Sequence, residues 1–259
     1  MTITETVTET VTESTTDQHA AVEQRTVRPL GRVLVTGAAS GLGRAVAAAV
    51  AAAGGSPLLL DRVDPRTDAV PALADAPAVV VDLAETRAAE DAVRALAGEG
   101  LDAVVAAAGT DACGRMAEVP GAEWDRVVQV NLLGTAAVVR AALPALQASR
   151  GRIVTVASTL GLRALSDASA YCASKFGVVG MTRALAIELQ GQVGVTLLVP
   201  GGMNTAFFDD RTEQYRPGPS AMLNDPNEVA DAVLYALGRP AGCEVRELII
   251  TPSVEPSWP

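Results

Sequence analysis

The sequence predicts an α/β protein, a single doubly wound domain in which a seven-stranded parallel sheet carries helices on both faces. Two observations support this prediction. Seven short runs of Val, Ile, Leu and Ala alternate along the chain with longer Ala-rich stretches. The runs are apolar throughout, which is typical of strands covered by helices on both faces. Strands that alternate with helices in this way favour a parallel sheet.

The apolar runs are assigned as strands at residues 33–36, 58–60, 79–81, 104–107, 153–156, 195–199 and 248–250. The intervening helices are predicted at residues 42–53, 85–97, 123–147, 169–190 and 226–237. The last helix has a clear beginning, because Asn224-Asp225-Pro226 is a typical start signal.

The N-terminal segment differs from the rest of the chain. It is rich in Thr and Glu and contains a loose repeat of Thr-Glu-Thr-Val. Such a segment buries too little apolar surface to offset the entropy lost on ordering. We therefore predict a disordered tail at residues 1–30 and one folded domain at residues 31–259. A targeting role is not expected, because transit peptides are rich in Arg and poor in acids.

Composition narrows the possible partners. A formal net charge of −10 argues against nucleic acid or an anionic membrane surface, because both would repel the protein. No apolar run approaches the roughly 18 residues of a transmembrane helix, and the N-terminus lacks the blocks of a signal peptide. We expect a cytoplasmic protein that acts on a small molecule.

Metal and disulfide chemistry is not expected. The three cysteines, Cys113, Cys172 and Cys243, are odd in number and form no CxxC pair. The single histidine, His19, lies in the polar tail, which argues against a histidine base or a His-rich metal site. Acid–base chemistry would therefore depend on other side chains.

A glycine-rich turn follows the first strand and leads directly into the first helix. It reads Thr-Gly-Ala-Ala-Ser-Gly-Leu-Gly at residues 36–43. Glycines allow a tight turn and a close approach of the backbone to a pyrophosphate, which then meets the helix N-terminus. We predict a Rossmann-type dinucleotide site, with contacts from Gly37, Ser40, Gly41, Leu42 and Gly43.

Asp61 ends the second strand, 24 positions after Gly37. A carboxylate there can accept hydrogen bonds from both adenosine ribose hydroxyls and would repel a 2′-phosphate, so the predicted cofactor is NAD. NADP is the alternative, because Arg62 could turn toward a phosphate. Asp61 could also be only a turn residue at a strand end. Asp82, which ends the third strand, is expected to accept a hydrogen bond from the adenine amino group.

Three side chains are predicted to converge beside the cofactor. Ser158 lies at the end of the fifth strand, where doubly wound sheets bind ligands. Tyr171 and Lys175 are one helical turn apart and share a helix face. Lys175 is also the only lysine among the 20 basic residues, and arginine does not replace lysine where a compact charge is needed. Taken singly, each residue could instead be an amphipathic surface residue or a strand-end cap.

Together these motifs resemble those of the short-chain dehydrogenase/reductase family, over about residues 30–252. The glycine turn, Ser158, and Tyr171 with Lys175 each match a family motif. The resemblance adds Asn131 as a fourth catalytic residue. It also implies cofactor contacts from a PGxxxT motif and from residues after the third and fourth strands: Pro200, Gly201, Met203, Thr205, Leu83 and Gly109.

The resemblance implies hydride transfer between NAD(P) and a secondary alcohol or ketone. Tyr171 would exchange a proton with the substrate oxygen, its pKa lowered from about 10 by Lys175 and an oxidised nicotinamide. Ser158 would hydrogen-bond the same oxygen. Asn131 would hold a water that relays protons to Lys175. Tyr171 and Lys175 would also contact the cofactor.

One motif departs from the family pattern. The family's NNAG after the fourth strand reads Ala-Ala-Ala-Gly at residues 106–109. The polar side chains that usually brace this turn are missing, which puts local rigidity or substrate positioning in question. Because Asn131, Ser158, Tyr171 and Lys175 are all present, we do not expect a loss of activity.

A substrate loop is predicted at residues 202–224. Its aromatic residues either close over the substrate or pack onto the surface. These are Phe207, Phe208 and Tyr215. A further candidate is an apolar wall formed by Leu160, Leu162 and Leu165. Arg163, Arg211 and Arg216 are candidates for binding an anionic group.

Residues 228–252 resemble a family branch that acts on 3-hydroxy acids and small aldehydes. This branch often uses NADP, but the local argument from Asp61 has more weight for the cofactor.

The leading hypothesis is an NAD(P)-dependent alcohol dehydrogenase or ketoreductase. A cofactor-sensing protein without catalysis is an alternative from another class, and an epimerase or dehydratase of the same superfamily is a third. The resemblance further implies a homotetramer or homodimer, assembled through the helices at 123–147 and 169–190.

Overall fold

The structure, a computed structural model, describes residues 28–66 and 70–258. Most of the predicted tail, residues 1–27, lies outside the described residues. Arg28 already contacts the folded domain, because its backbone N–H donates to the carbonyl oxygen of Gly238 and its guanidinium donates to that of Arg150. The contacts of the domain therefore begin before residue 31.

Seven parallel strands form one sheet. They are β1 Arg32–Thr36, β2 Ser56–Asp61, β3 Ala78–Val80, β4 Ala103–Ala106, β5 Arg152–Val156, β6 Gly194–Pro200 and β7 Glu247–Ile250. Their order is β3-β2-β1-β4-β5-β6-β7, and every pairing is parallel. This confirms the predicted fold class. The order reverses between β1 and β4, and ligands bind at such a switch point.

The helices also follow the prediction. In the described part of the chain they are α1 Gly41–Ala52, α2 Thr86–Ala97, α3 Gly121–Val128, α4 Thr135–Ser149, α5 Ser169–Glu188 and α6 Pro226–Leu237. A π-helical segment, Gln129–Gly134, joins α3 to α4 into one continuous helix. Asp225 caps α6 as expected, since its Oδ1 accepts from the backbone N–H of Asn227 at 2.8 Å.

Both faces of the sheet are covered by helices. Leu58 and Leu60 enter an apolar cluster with side chains of α2 and α4. Leu59, between them in β2, enters a second cluster with side chains of α1 and α6. Successive residues of one strand therefore enter opposite cores, which explains why the strand sequences are apolar throughout.

The continuous helix Gly121–Ser149 is long and apolar enough, by length and composition, to cross a membrane. Over its most apolar window, however, 56% of it is buried inside the protein. Its α4 part packs against α2 and the sheet. A core helix of a folded domain has the same composition, so this helix is no evidence for a membrane span.

The packing of Leu59 can be tested by substitution. The side chain is fully buried, so Leu59→Ala should lower the free energy of unfolding by about 2–5 kcal/mol through lost contacts and a cavity. Urea denaturation measures this change. Val63→Ala, at a side chain that is 55% exposed, is the control. Equal effects of the two substitutions would contradict the described core.

Candidate active site

The glycine turn connects β1 to α1 at the switch point of the sheet. Gly37 and Gly41 have φ values of 70° and 50°, which favour glycine. A Cβ at Gly37 would lie 2.9 Å from the backbone of Ala108, and one at Gly43 would collide with the carbonyl oxygen of Gly37. The turn therefore requires glycine for its backbone conformation and for space.

The N-terminus of α1 is open to an anion. Ser40 is the N-cap residue, but its side chain makes no capping hydrogen bond, and the first turn of α1 has no acidic residue. The first N–H groups of the helix carry partial positive charge. Residues of the glycine turn line the main cleft beside this helix end. They fit the pyrophosphate of a dinucleotide.

Asp61 lies against the glycine turn. Its Oδ2 accepts from the backbone N–H of Ala39 at 3.0 Å, and its Oδ1 accepts from that of Val63 at 3.3 Å. These bonds fix the carboxylate at the carboxyl end of β2, where it lines the cleft. Its position is therefore the one expected for a residue that binds a ribose.

Asp82 has a protein partner that the sequence did not indicate. Its carboxylate forms an ion pair with Arg126 at 2.8 Å. Desolvation raises the pKa of Asp82, but hydrogen bonds from the backbone of Ala84 and from Arg126 outweigh it and hold the pKa below its usual value. A contact with adenine would therefore have to share this carboxylate with Arg126.

β5 and α5 bring Ser158, Tyr171 and Lys175 together in the cleft. Lys175 is only 4% exposed, and its Nζ donates to the carbonyl oxygen of Val156 at 2.9 Å. The same Nζ lies 5.5 Å from the centre of the Tyr171 ring. Ser158 is buried, and its hydroxyl is close enough to the Tyr171 side chain to favour a lower pKa of the tyrosine. The three residues that were predicted to converge therefore do so.

Asn131 lies in the π-helical segment and is 1% exposed. Its Oδ1 accepts from the N–H of Thr110 at 2.8 Å, and its Nδ2 donates to the carbonyl oxygen of Thr110 and to Ser174 Oγ. Both amide N–H groups are thus used inside the protein. The side chain braces the loop after β4, so a water relay would have to use the remaining lone pair of Oδ1 or the backbone carbonyl of Asn131.

The alanine turn after β4 is braced by side chains outside its own motif. Thr36 Oγ1 accepts from the backbone N–H of Ala108 at 3.1 Å. Asn131 holds the next residues through Thr110. The turn is therefore held by contacts from β1 and from the π-helical segment, although the asparagines of the motif are absent.

The protein alone raises the pKa of Tyr171, whereas the sequence predicted a lowered value. Desolvation of the hydroxyl is the main cause, and the charge of Asp111 adds to it. The hydrogen bond of Ser158 and the charge of Arg211 act in the opposite direction. Burial also lowers the pKa of Lys175 to about 8. Lowering the pKa of Tyr171 thus depends on the second charge that the prediction invoked, an oxidised nicotinamide.

The predicted substrate loop forms one wall of the cleft. The rings of Phe207 and Tyr171 are 5.8 Å apart, and those of Phe207 and Phe208 are 5.6 Å apart. Tyr215 lines the same cleft. The loop has local structure, with 3₁₀ turns at Ala206–Phe208 and Glu213–Tyr215.

Not all of the predicted substrate residues reach the cleft. Leu160 and Leu165 line it, but Leu162 packs against an apolar cluster of α5 and β6. Arg163 does not line the cleft either. Arg216 donates to the carbonyl oxygens of Arg211 and Asp209 and so stabilises the loop itself. These corrections leave Arg211 as the substrate-side arginine.

Several residues of the cleft were missed from the sequence, and three of them have distant partners. Asp111 forms an ion pair with Arg211 at 2.6 Å. Glu255 accepts from the backbone N–H of Gly202 at 3.0 Å, and the hydroxyl of Ser257 lies 2.7 Å from that of Thr159. The partners are 53 to 100 positions apart, so no local pattern marks them.

All of the predicted cofactor contacts line one cleft of about 870 Å³. Ser158, Tyr171 and Lys175 line it as well, whereas Asn131 is absent from its lining. A cleft of this size lies toward the upper end of the range for small-molecule and cofactor sites.

Comparisons with known proteins agree with this geometry. A family model described as short chain dehydrogenase matches residues 31–216. An uncharacterized oxidoreductase of Staphylococcus aureus (strain N315) is 34% identical over 226 residues, which cover 85% of this chain and 96% of the relative. A glycine betaine reductase of Emericella nidulans is 32% identical over 259 residues, and these cover 91% of this chain. The chain spans only 20% of that longer protein.

Two solved structures are also similar. One is a short-chain type dehydrogenase/reductase from Mycobacterium marinum, with a TM-score of 0.74 and 28% identity over 85% of this chain and 94% of that chain. The other is an alcohol dehydrogenase from Thermococcus sibiricus complexed with 5-hydroxy-NADP. It has a TM-score of 0.72 and 25% identity over 85% of this chain and 95% of that chain.

The family model covers well over half of the chain, and the staphylococcal relative aligns over nearly its whole length. The expected resemblance is thereby confirmed, and this chain belongs to the short-chain dehydrogenase/reductase family of NAD(P)-binding oxidoreductases.

Proposed function

We propose that this protein is an alcohol dehydrogenase or ketoreductase that transfers a hydride between NAD and a small secondary alcohol or ketone. The observation that carries the proposal is the convergence of Ser158, Tyr171 and Lys175 in the cleft that contains the dinucleotide turn. The alcohol dehydrogenase among the structural neighbours supports the same reaction class. A cytoplasmic location belongs to the same proposal, and so does a homotetramer or homodimer through the helices at 123–147 and 169–190.

Each side chain has a role that its surroundings support. NAD(P), when bound, supplies or accepts the hydride. Tyr171 donates a proton to the carbonyl oxygen during reduction and accepts the alcohol proton during oxidation. Ser158 hydrogen-bonds the same oxygen as negative charge develops on it. Lys175 supplies a buried positive charge next to Tyr171 and, with it, holds the cofactor ribose.

Replacement of Tyr171 by phenylalanine tests the proposed acid and base. The variant keeps the ring that packs against Phe207 but loses the proton. We expect kcat/KM to fall by about 100- to 10,000-fold while NADH binding, measured by fluorescence, persists. Tyr235→Phe is the matched control, because Tyr235 is 53% exposed and does not line the cleft.

The same assay separates the alternatives. Full activity of Tyr171→Phe would contradict the mechanism. A wild-type protein that binds NADH but turns over no alcohol or carbonyl compound would instead be a cofactor-sensing protein. Product formation without net conversion of NAD to NADH would indicate an epimerase or dehydratase.

The pH dependence of the two directions should differ. Because desolvation and Asp111 raise the pKa of Tyr171, the protonated form that reduces a ketone dominates at neutral pH. Oxidation needs the deprotonated form, whose fraction increases with pH. We therefore expect kcat/KM for oxidation to rise between about pH 6 and 10, and that for reduction to fall toward high pH. Steady-state profiles at saturating cofactor measure both. An oxidation rate independent of pH would contradict a tyrosine base.

The proposed preference for NAD depends on the charge of Asp61. Asp61→Ser removes the group that accepts from the ribose and repels a 2′-phosphate, and it leaves Arg62 beside the site. We expect the ratio of kcat/KM with NADPH to that with NADH to rise by at least about tenfold.

Asp64→Ser is the matched control for the cofactor test. It removes the same charge three positions later, from an exposed residue that pairs with Arg66 and does not line the cleft. A wild-type preference for NADPH would overturn the assignment of NAD, and so would an equal change in both variants.

A further inference from the structure

The substrate end of the cleft contains an ion pair. Arg211 Nη2 lies 2.6 Å from Asp111 Oδ2, and the two side chains are only 18% and 6% exposed. Arg211 belongs to the substrate loop, and Asp111 follows the turn after β4. The pair therefore closes one side of the cleft next to Phe207, whose ring contacts Tyr171.

Asp111 is fixed by more than Arg211. Its Oδ1 accepts from the backbone N–H of Ala112 at 2.7 Å, and its Oδ2 also accepts from the thiol of Cys113 at 3.1 Å. A carboxylate with three protein donors is not free to move away when a ligand arrives. An anionic substrate that displaced Asp111 from Arg211 would leave a buried negative charge without its cation, which is strongly unfavourable.

The other charged groups at this end of the cleft do not attract an anion. Asp210 and Glu255 also line it. Lys175 is buried and donates to the carbonyl oxygen of Val156. Among the cleft residues that remain, the basic ones are Arg62 and Arg126, which lie near Asp61 and Asp82 at the cofactor end. A carboxylate on the substrate would thus meet acids, and the cation at this end that has no acidic partner, Lys175, is buried and already donates to the backbone.

A cationic substrate is disfavoured for a different reason. Aromatic rings bind ammonium groups through their faces. Here the guanidinium of Arg211 already lies 4.6 Å from the ring centre of Phe208 and 5.2 Å from that of Phe207. A cationic group on the substrate would have to replace Arg211 or lie beside its charge.

An uncharged acceptor, in contrast, has a partner. Arg211 Nη1 donates to the carbonyl oxygen of Tyr215, and Nη2 donates to Asp111. Nε is buried, and in the described part of the chain no group accepts its hydrogen bond. Nε itself is closed to a ligand, but Nη1 and Nη2 each carry a second N–H. A neutral carbonyl or ether oxygen can accept from one of these without disturbing the ion pair.

We propose that the Asp111–Arg211 ion pair makes this site selective for uncharged ketones, aldehydes and alcohols and excludes hydroxy acids and keto acids. This inference rests on the proposed function, since it names the substrate class of the same site. Of the two substrate classes implied by the resemblance of residues 228–252, 3-hydroxy acids and small aldehydes, it keeps only the aldehydes.

Two nearly isosteric compounds test the proposal, acetoacetamide and acetoacetate, which differ chiefly in charge. With the full-length protein and NADH or NADPH, the amide should be reduced with a kcat/KM at least about tenfold higher than the acid. Asp111→Asn removes the charge that neutralises Arg211. In this variant the ratio of kcat/KM for acetoacetate to kcat/KM for acetoacetamide should rise by at least about tenfold, mainly through a lower KM for acetoacetate.

Asp210→Asn provides the matched control, because it removes the same charge from the same cleft. In the described structure Arg211 pairs with Asp111 and not with Asp210, which is exposed. The ratio of kcat/KM for acetoacetate to kcat/KM for acetoacetamide should therefore change by less than about threefold. Equal shifts in the two variants would overturn the role of the ion pair. A wild-type preference for acetoacetate, or for an aldehyde with a quaternary ammonium group, would overturn the charge selectivity.

A binding experiment keeps the inference testable if neither compound is reduced or if Asp111→Asn does not fold. Calorimetry on the wild-type protein with NADH bound should then detect butyramide with higher affinity than butyrate. The opposite order would overturn the inference. A preference for butyramide together with no turnover of any carbonyl compound would support the charge selectivity and contradict the proposed oxidoreductase activity.

Discussion

The hydrogen bond from Lys175 Nζ to the carbonyl oxygen of Val156 connects α5 to the carboxyl end of β5, and the candidate site depends on it. An ammonium group that is almost fully buried needs such an acceptor, because burial without one is costly. Together with the hydrogen bond between Thr155 and Thr182, the bond from Lys175 holds α5 against β5. Tyr171, one turn earlier on the same face, is thereby directed into the cleft beside Ser158. Arginine would bring five donors and a planar fork into a space that offers one carbonyl.

The two ends of the cleft differ in the charge that they present to a ligand. At the cofactor end, the open helix N-terminus of α1 provides positive potential for a pyrophosphate, and Asp61 provides an acceptor for ribose hydroxyls. At the substrate end, Asp111 and Arg211 cancel each other. Tyr171 lies between the two ends and is affected by both members of the pair, since Asp111 raises its pKa and Arg211 lowers it. In the proposed function, substrate selectivity and proton transfer therefore depend on the same pair of side chains.

Much of the fold and of the candidate site could be predicted because the signals are local. Continuous apolar runs mark β1 to β7, and the spacing of Tyr171 and Lys175 places both on one helix face. The π-helical segment could not be predicted, because its residues have the same apolar pattern as the α-helices around it. The direction of the pKa shift of Tyr171 was also beyond the sequence. That shift depends on desolvation and on Asp111, 60 positions away in the chain.

The substrate end shows why counting charged residues in a sequence does not identify a ligand. Three arginines of the substrate region were candidates for anion binding, and the one that lines the cleft is neutralised by an acid 100 positions earlier. What matters for a ligand is the charge that remains after the protein's own pairs have formed. Two loops without periodic structure determine that pairing, and only the fold brings them together. The resemblance of residues 228–252 to a family branch carries no information on this pairing, because neither Asp111 nor Arg211 lies in that part of the chain.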